Sequence, residues 1–493
     1  MPKIGPVLLA LLAGACALVA TPAPMAAEDV QRAAADLRAK FAVELEDLAA
    51  DCGRHGLVDQ AKKTRAVLVP RDPYKIYLPV LPQEVGPRPL PADAPADVVR
   101  WDARLTRLRH EQALALYEIA RRAIRARRAS LAYEFILATI QADPDFEAAR
   151  RILGYQKFRD GWYTPYEVRK LRSGQVWHQQ FGWLPKANVR RYEQGLRPAD
   201  NRWISAAEDA KAHRKIEAGW DVETEHYAIR TNQSIEAGVG LGVKLERLYR
   251  VWQQMFIRYY ASETAVVALF DGRAKTAANE PRLSVAYFRD RDDYNRSLRA
   301  VQPNIGITTG LYLDSVHRAY FFAGEDADDR DLVHEGTHQL FHQSRLVAPD
   351  VGRKANFWIV EGIAMYMESL GREGDYDVLG GLDDPRMVAA QHRLLVDKFY
   401  VPLAELTRYG MEQLQADPRI ATLYSQAAGL THFLVCYDNG RYRDALVAYL
   451  AAVYNGRDDA NTLAHLTGTS YADLDKQYRE FMAAAAKKSP QGD

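Results

Sequence analysis

His334, Glu335 and His338 have the types and spacing to do chemistry. They stand in the run Asp331-Leu-Val-His-Glu-Gly-Thr-His-Gln-Leu-Phe341, an H-E-x-x-H pattern. Four residues of helix make slightly more than one turn, so both imidazoles leave one face and can bind one metal ion. Glu335 follows the first histidine, where its carboxylate can reach a water on that metal. Two neutral nitrogens as ligands and one carboxylate as base is the arrangement of zinc hydrolysis. Leu332, Val333, Leu340 and Phe341 supply apolar positions at helical spacing, and no proline interrupts them. Gly336 opposes the helix by about 1 kcal/mol of propensity. The competing reading is a surface helix with incidental histidines.

A catalytic zinc needs a third protein ligand and an open fourth position. Downstream, Glu361 is the only carboxylate between Asp350 and Glu368. Its neighbours Trp358, Ile359, Val360, Ile363 and Met365 are apolar. A carboxylate in such a run is costly to bury unless it is paired or bound to metal. Alternatively, Glu361 is a helix N-terminal glutamate satisfied by backbone N–H groups.

The pair of motifs resembles the gluzincin metallopeptidases, in particular the peptidase-MA-like bacterial families that carry H-E-x-x-H followed by W-x-x-E-G-x-A. Trp358, Glu361, Gly362 and Ala364 match the second motif, and the likeness extends to secreted bacterial proteins with an H-E-G-T-H-Q-L form. It covers about residues 218–485. The resemblance implies one Zn2+ per chain, held by His334, His338 and Glu361, with Glu335 as general base on the zinc-bound water and a peptide or protein as substrate. It also implies an oxyanion donor well after the third ligand. Tyr424, in a segment resembling the Y-x-x-G/A-x-x-F helix of these families, stands at that distance; it is equally a candidate for core packing, and His432 is a second candidate donor. Where several gluzincins place an acidic residue one turn after the third ligand, this chain has Met365. Asp331 or Glu368 could orient a ligand histidine instead. A fourth imidazole would close the site, so His342, one turn beyond His338, reads as structural or incidental.

These residues need elements to position them, and the chain is long enough for two or three domains at 493 residues. Its hydrophobic fraction of 48% suits a soluble globular fold with a sizeable core. With 65 basic against 64 acidic residues it is no general polyanion binder. The Arg121–Arg128 run reads as a solvated helix face, since no aromatic platform accompanies it, so no nucleic-acid partner is expected.

Residues 1–27 read as a signal peptide: Lys3, an apolar run over 7–20 and small residues over 21–27. Export to the periplasm or beyond follows, with lipid anchoring through Cys16 as the lesser alternative, and no transmembrane segment is expected. Cys52 and Cys436 would then remain, either as a disulfide or as two buried thiols. Residues 28–96 read as a helical segment and a Pro-rich linker or extended wrap that is no part of a core. Residues 97–215 read as helical and partly tetratricopeptide-like, followed by a duplication. Gly161-Trp162 and Gly182-Trp183 each lead into a valine at the same spacing, for core packing or as a ligand platform. Residues 216–486 form the expected catalytic region, with a tail over 487–493. Strands are expected over 220–231, 265–270, 283–288, 310–313 and 318–323, a helix over 235–260, and helix throughout after Glu361. The expected fold class is therefore α+β, and the resemblance implies a zincin-like metallopeptidase domain of a small mixed sheet plus helices, preceded by a mainly α-helical region. Strand 318–323 is the expected free edge that would hold the substrate backbone. A catalytically inactive relative, docking an envelope protein partner through the N-terminal helices, is the alternative to a working peptidase.

Overall fold

The computed structural model describes residues 27–83, 85, 90–273 and 281–488. The expected signal peptide, except Ala27, and Cys16 lie outside them. The chain is mixed α and β, with several small sheets and a helical N-terminal region. No helix among the described residues is long and apolar enough to cross a membrane.

The first helices, Ala27–Arg54 and Val58–Arg65, pack on Ala96–Arg125 around Phe41, Leu45, Leu48, Trp101 and Leu108. Helices Ala129–Ala142 and Glu147–Ile152 follow. Next come three antiparallel hairpins rather than the expected two: Gln156–Phe158 with Gly161–Tyr163, Gln175–His178 with Gly182–Pro185, and Leu196–Ala199 with Arg202–Ser205. Each carries a tryptophan at the same place, cross-strand from Lys157, Trp177 and Pro198 respectively. A short helix follows each one. In the first and third units its start is a capping box, Thr164 with Glu167 and Ser205 with Glu208. Trp162 is buried and donates to Asp145 Oδ1 at 2.7 Å, so this tryptophan serves packing.

The largest sheet has five strands in the order Leu311–Leu313, Arg318–Phe322, Leu283–Phe288, Tyr227–Thr231, Trp220–Glu223. The three inner strands are parallel and both outer ones antiparallel. Strand Arg318–Phe322 is thus interior, correcting the expectation that it forms the edge. Its hairpin partner Leu311–Leu313 lies outside it and takes that place. Segment 265–270, expected as a strand, is the helix Glu263–Phe270: Ser262 caps it by accepting the N–H of Ala265. A short apolar run has no period that separates the two states, and the cap decides.

Helix Ile235–Met255 lies across this sheet. Beside it lies the helix Asp329–Gln343, the His helix, which also packs on strands Leu311–Leu313 and Arg318–Phe322 and on Phe357–Met367, the Glu helix, which in turn packs on Ile420–Gly440. The main core fills these interfaces with Leu245, Trp252, Phe341, Trp358, Ile363 and Leu430.

Two expectations about the periphery fail. Helix is not continuous after Glu361, because Gly371–Glu373 and Tyr376–Gly380 form a hairpin. The Pro-rich stretch does enter the core, because Lys75–Pro79, extended as one of the two readings has it, pairs antiparallel with Tyr376–Gly380. Lys75 also bonds Glu373 at 2.6 Å, and Tyr74 and Leu78 join the main core. Alternation in Lys75-Ile-Tyr-Leu suits a strand, but its partner lies 298 residues on, as the Lys75–Glu373 pair records, where no local signal points. Cys52 and Cys436 are buried and unpaired.

Candidate metal centre

The His helix begins at Asp328, whose carboxylate accepts the N–H of Arg330 at 2.9 Å. Asp329 and Asp331 in the first turn complement the positive end of the helix dipole. Burial of Leu332, Val333, Leu340 and Phe341 then fixes which face is turned inward. Gly336 has a packing reason: a Cβ there would stand 2.7 Å from Leu248 Cδ2. Its weak helix propensity is offset by close approach to helix Ile235–Met255.

The Glu helix is set by Asn356, in the left-handed region at φ 58°. The side chain of Asn356 is fully buried; it donates to Asp458 Oδ2 at 2.6 Å and to the Asp459 carbonyl at 3.0 Å, and accepts from the Tyr449 hydroxyl at 2.5 Å. This clamp leaves Glu361 one turn inside the helix, past its N-terminal N–H groups. Its residues are buried throughout except Glu361, which keeps partial exposure towards the histidines. Gly362 matters here as Gly336 does, because a Cβ would collide with Thr431 Oγ1 and the Ala427 carbonyl.

Three potential ligand atoms converge. His334 Nε2 and His338 Nε2 are 3.1 Å apart. Glu361 Oε2 is 3.5 Å from His334 Nε2, and Oε1 is 3.8 Å from His338 Nε2. Zinc–ligand bonds of about 2.0–2.1 Å in a tetrahedron put ligand atoms about 3.3 Å apart. The donor set and its spacing are compatible with a zinc ion, and among the described residues this is the group of side chains that could hold a metal.

Glu368, not Asp331, supports a ring of this group: its Oε1 lies 2.8 Å from His334 Nδ1. It stands two helical turns beyond Glu361. A carboxylate on the distal nitrogen fixes tautomer and ring orientation. Glu368 is itself held by Arg330 Nη2 at 3.1 Å and by Arg386 Nε and Nη2, both at 2.9 Å. Arg330 also donates to Asp384 Oδ2 at 3.0 Å. Arg330, Arg386 and Asn356 had no motif to mark them in the sequence. Their roles depend on which helices become neighbours.

The electrostatics favour a cation. Burial works against charge on all of these groups, yet hydrogen bonds to Glu361 and Glu368 raise the His334 pKa. Burial lowers that of His338, and the His334 charge adds to this. Glu368 falls to about 2: burial opposes, but its bonds to His334 and Arg386 prevail. Burial raises Glu335, against the opposing charge of His334 and a bond from backbone. That bond is the Tyr312 N–H, which donates to Glu335 Oε2 at 2.8 Å from the outer strand of the sheet. Glu335 thus sits between the histidines and a sheet edge.

Tyr424 lies on helix Ile420–Gly440, partly buried against the core. Burial raises its pKa, and the carboxylates of Glu361 and Glu335 add to the shift, so its hydroxyl lies within the field of the cluster. His432 does not belong to the site. It is buried in the core beside Tyr366 and Phe481, with ring centroids 5.6 and 6.1 Å away, and burial lowers its pKa to about 4. His342 packs between Tyr312 and Tyr454 and is absent from the ligand cluster. Comparison with protein-family models gives no match, and neither does comparison with curated proteins.

Proposed function

We propose that the chain is an exported zinc-dependent metallopeptidase of the gluzincin type, with a zincin-like catalytic region over residues 216–486. The single observation that carries this reading is the convergence of His334, His338 and Glu361, from two helices, at zinc-ligand spacing beside Glu335. The Glu368 bond to His334 supports it, because an incidental histidine pair needs no such partner.

His334, His338 and Glu361 would hold one zinc ion per chain. Bound there, zinc supplies Lewis acidity to a peptide carbonyl and to a water. Glu335 is the base. Tyr312 fixes its Oε2, and its other oxygen has no protein partner among the described residues. A carboxyl raised by burial accepts a proton from water and returns it to the leaving amine more readily than an exposed one. Tyr424, its hydroxyl kept protonated by burial, donates to the oxyanion that develops on the carbonyl. The outer strand Leu311–Leu313 offers backbone to an extended substrate by strand addition.

The test is metal analysis of the purified protein together with a peptide-library digest, on wild type and Glu335→Gln. About one zinc per chain in both proteins, with hydrolysis in wild type and its near loss in the variant, is the expected result. Zinc without any hydrolysis would turn the reading to a binding module. No zinc would remove it.

A further inference from the structure

The five-stranded sheet has a second outer strand, Trp220–Glu223, on the far side from Leu311–Leu313. It pairs on one side with Tyr227–Thr231. The hairpin decides which of its backbone groups that ladder uses. The Thr224 N–H donates to the Tyr227 carbonyl at 3.0 Å. Antiparallel pairs alternate between bonded and unbonded. Val222–Ile229 and Trp220–Thr231 are therefore bonded pairs, whereas Asp221–Arg230 and Glu223–Ala228 are not. The other side of Tyr227–Thr231 agrees. The Leu283 N–H donates to the His226 carbonyl and the Asn232 N–H to that of Tyr287, so residues 226, 228, 230 and 232 turn towards strand Leu283–Phe288. Asp221 and Glu223 thus turn their N–H and C=O groups outward, and none of these groups has a hydrogen-bond partner among the described residues. Charged side chains commonly guard such an edge. Here both are engaged within their own sheet: Asp221 is held by Arg230 at 2.9 Å through each oxygen, and Glu223 lies 3.5 Å from Arg282.

This edge borders a cavity of about 420 Å³. Trp220, Asp221, Val222 and Glu223 all line it, although successive side chains leave opposite faces of a strand. A cavity that touches every residue of a strand runs along its edge. The facing wall is the second hairpin, Gln175–His178 with Gly182–Pro185, which brings Phe181 and Trp183, and the short helix after it, which brings Tyr192. Trp162 of the first hairpin is spent on packing, but Trp183 is only half-buried and borders the groove. Outward N–H and C=O groups on residues two apart, about 6.8 Å along a line, match the backbone of another extended chain, and the aromatic wall suits its alternate side chains. We infer that this groove docks an extended segment of a second polypeptide by strand addition to Trp220–Glu223, with apolar or aromatic side chains at alternate positions against Phe181, Trp183 and Tyr192. The groove lies four strand spacings, about 19 Å, from Leu311–Leu313 across the sheet. It does not rest on the peptidase reading.

The experiment uses the Glu335→Gln protein, so that nothing is cut, and a random peptide library displayed on phage. The selected peptides, synthesised with a fluorescent label, are the probes, and anisotropy gives Kd. Binding should protect the amides of residues 220–224 from hydrogen exchange. Glu223→Pro removes one outward N–H and no ladder bond, and should weaken binding roughly tenfold. Glu223→Ala loses the Arg282 pair but keeps the N–H, and should bind as the parent does. Methylating alternate backbone nitrogens of the peptide should weaken binding roughly tenfold in at least one of the two frames, a readout that needs no altered protein. A peptide held in the cleft beside Glu335 instead would bind Glu223→Pro as tightly as the parent, and that result overturns the assignment. So does a selection that yields no peptide with Kd below about 1 mM, or binding that survives methylation in both frames. If the proline variant fails to fold, exchange decides with methylation, and residues 220–224 left unprotected by a bound peptide overturn the assignment.

Discussion

Glu368→Gln should weaken zinc binding more than it weakens the fold. The carboxylate takes four hydrogen bonds, from His334 Nδ1 at 2.8 Å, Arg330 Nη2 at 3.1 Å, and Arg386 Nε and Nη2 at 2.9 Å each. Glutamine has one acceptor oxygen and one NH2 group. With the oxygen on His334, the NH2 group meets two guanidiniums. With the amide reversed, His334 Nδ1–H loses its acceptor just when its other nitrogen must face the metal. Either way the ring is held less well and is less basic. Loss of such a partner costs about 10- to 100-fold in metal affinity, or about 1.4–2.7 kcal/mol. The apo fold should lose less than the roughly 3–5 kcal/mol of an uncompensated buried charge. Arg330 keeps Asp384, and Arg386 is 42% exposed. About 1–2 kcal/mol is expected. Competition against a chromophoric chelator gives Kd directly. Thermal unfolding with and without zinc gives a second measure, since each tenfold in Kd removes about 1.4 kcal/mol of zinc-induced stabilisation. A Kd within twofold of wild type, in a variant with unchanged circular dichroism, would refute the argument, because His334 would then be oriented by something else.

Tyr424→Phe should lower kcat about a hundredfold with little change in KM, as for a donor used mainly in the transition state. Raised KM with kcat intact would assign the hydroxyl to ground-state binding. Gly362→Ala should destabilise the protein by about 1–2 kcal/mol in urea unfolding. The new Cβ meets Thr431 Oγ1 and backbone of Ala427 that cannot yield, and overpacking of about 1–3 kcal/mol outweighs the roughly 1 kcal/mol gained in helix propensity. A more stable variant would show that the two helices separate freely. The His432 pKa is about 4 in the fold, so between there and about 6.5 the unfolded chain binds a proton that the folded chain does not. Stability from this group is therefore present at neutral pH and lost as pH falls through that window. Between pH 7 and 5 wild type should lose about 2 kcal/mol more than His432→Phe, and equal losses in the two proteins would contradict burial of a neutral imidazole.

What could be read along the chain follows from how local each feature is. His334 and His338 sit one turn apart on one helix, and Glu361 stands out by the apolar company it keeps, so periodicity and composition sufficed to single out the three residues that the fold brings together. The strand Leu283–Phe288 and the hairpin after Gly310 were legible for the same reason. The third hairpin was missed because Arg202 stands where Gly161 and Gly182 precede their tryptophans. Its turn survives through Asp200 in a left-handed conformation at φ 48°. The strand Lys75–Pro79 and its partner were missed because pairing at long separation leaves no local period.

The choice between Asp331 and Glu368 was undecidable for a physical reason. Asp331 lies on the same helix as His334, about one turn before it, and sequence spacing favours such a neighbour. The Glu368 side chain reaches the ring only because Gly362 lets the Glu helix settle against helix Ile420–Gly440 and Gly336 lets the His helix settle against Ile235–Met255. The two glycines inside the motifs, weak helix formers in isolation, set the helix separations on which the support of His334 depends. A spacing rule records them as x or G in a pattern. Only the packing explains why a larger residue at Gly362, against the unyielding backbone of Ala427, would shift Glu368 from His334 without touching either.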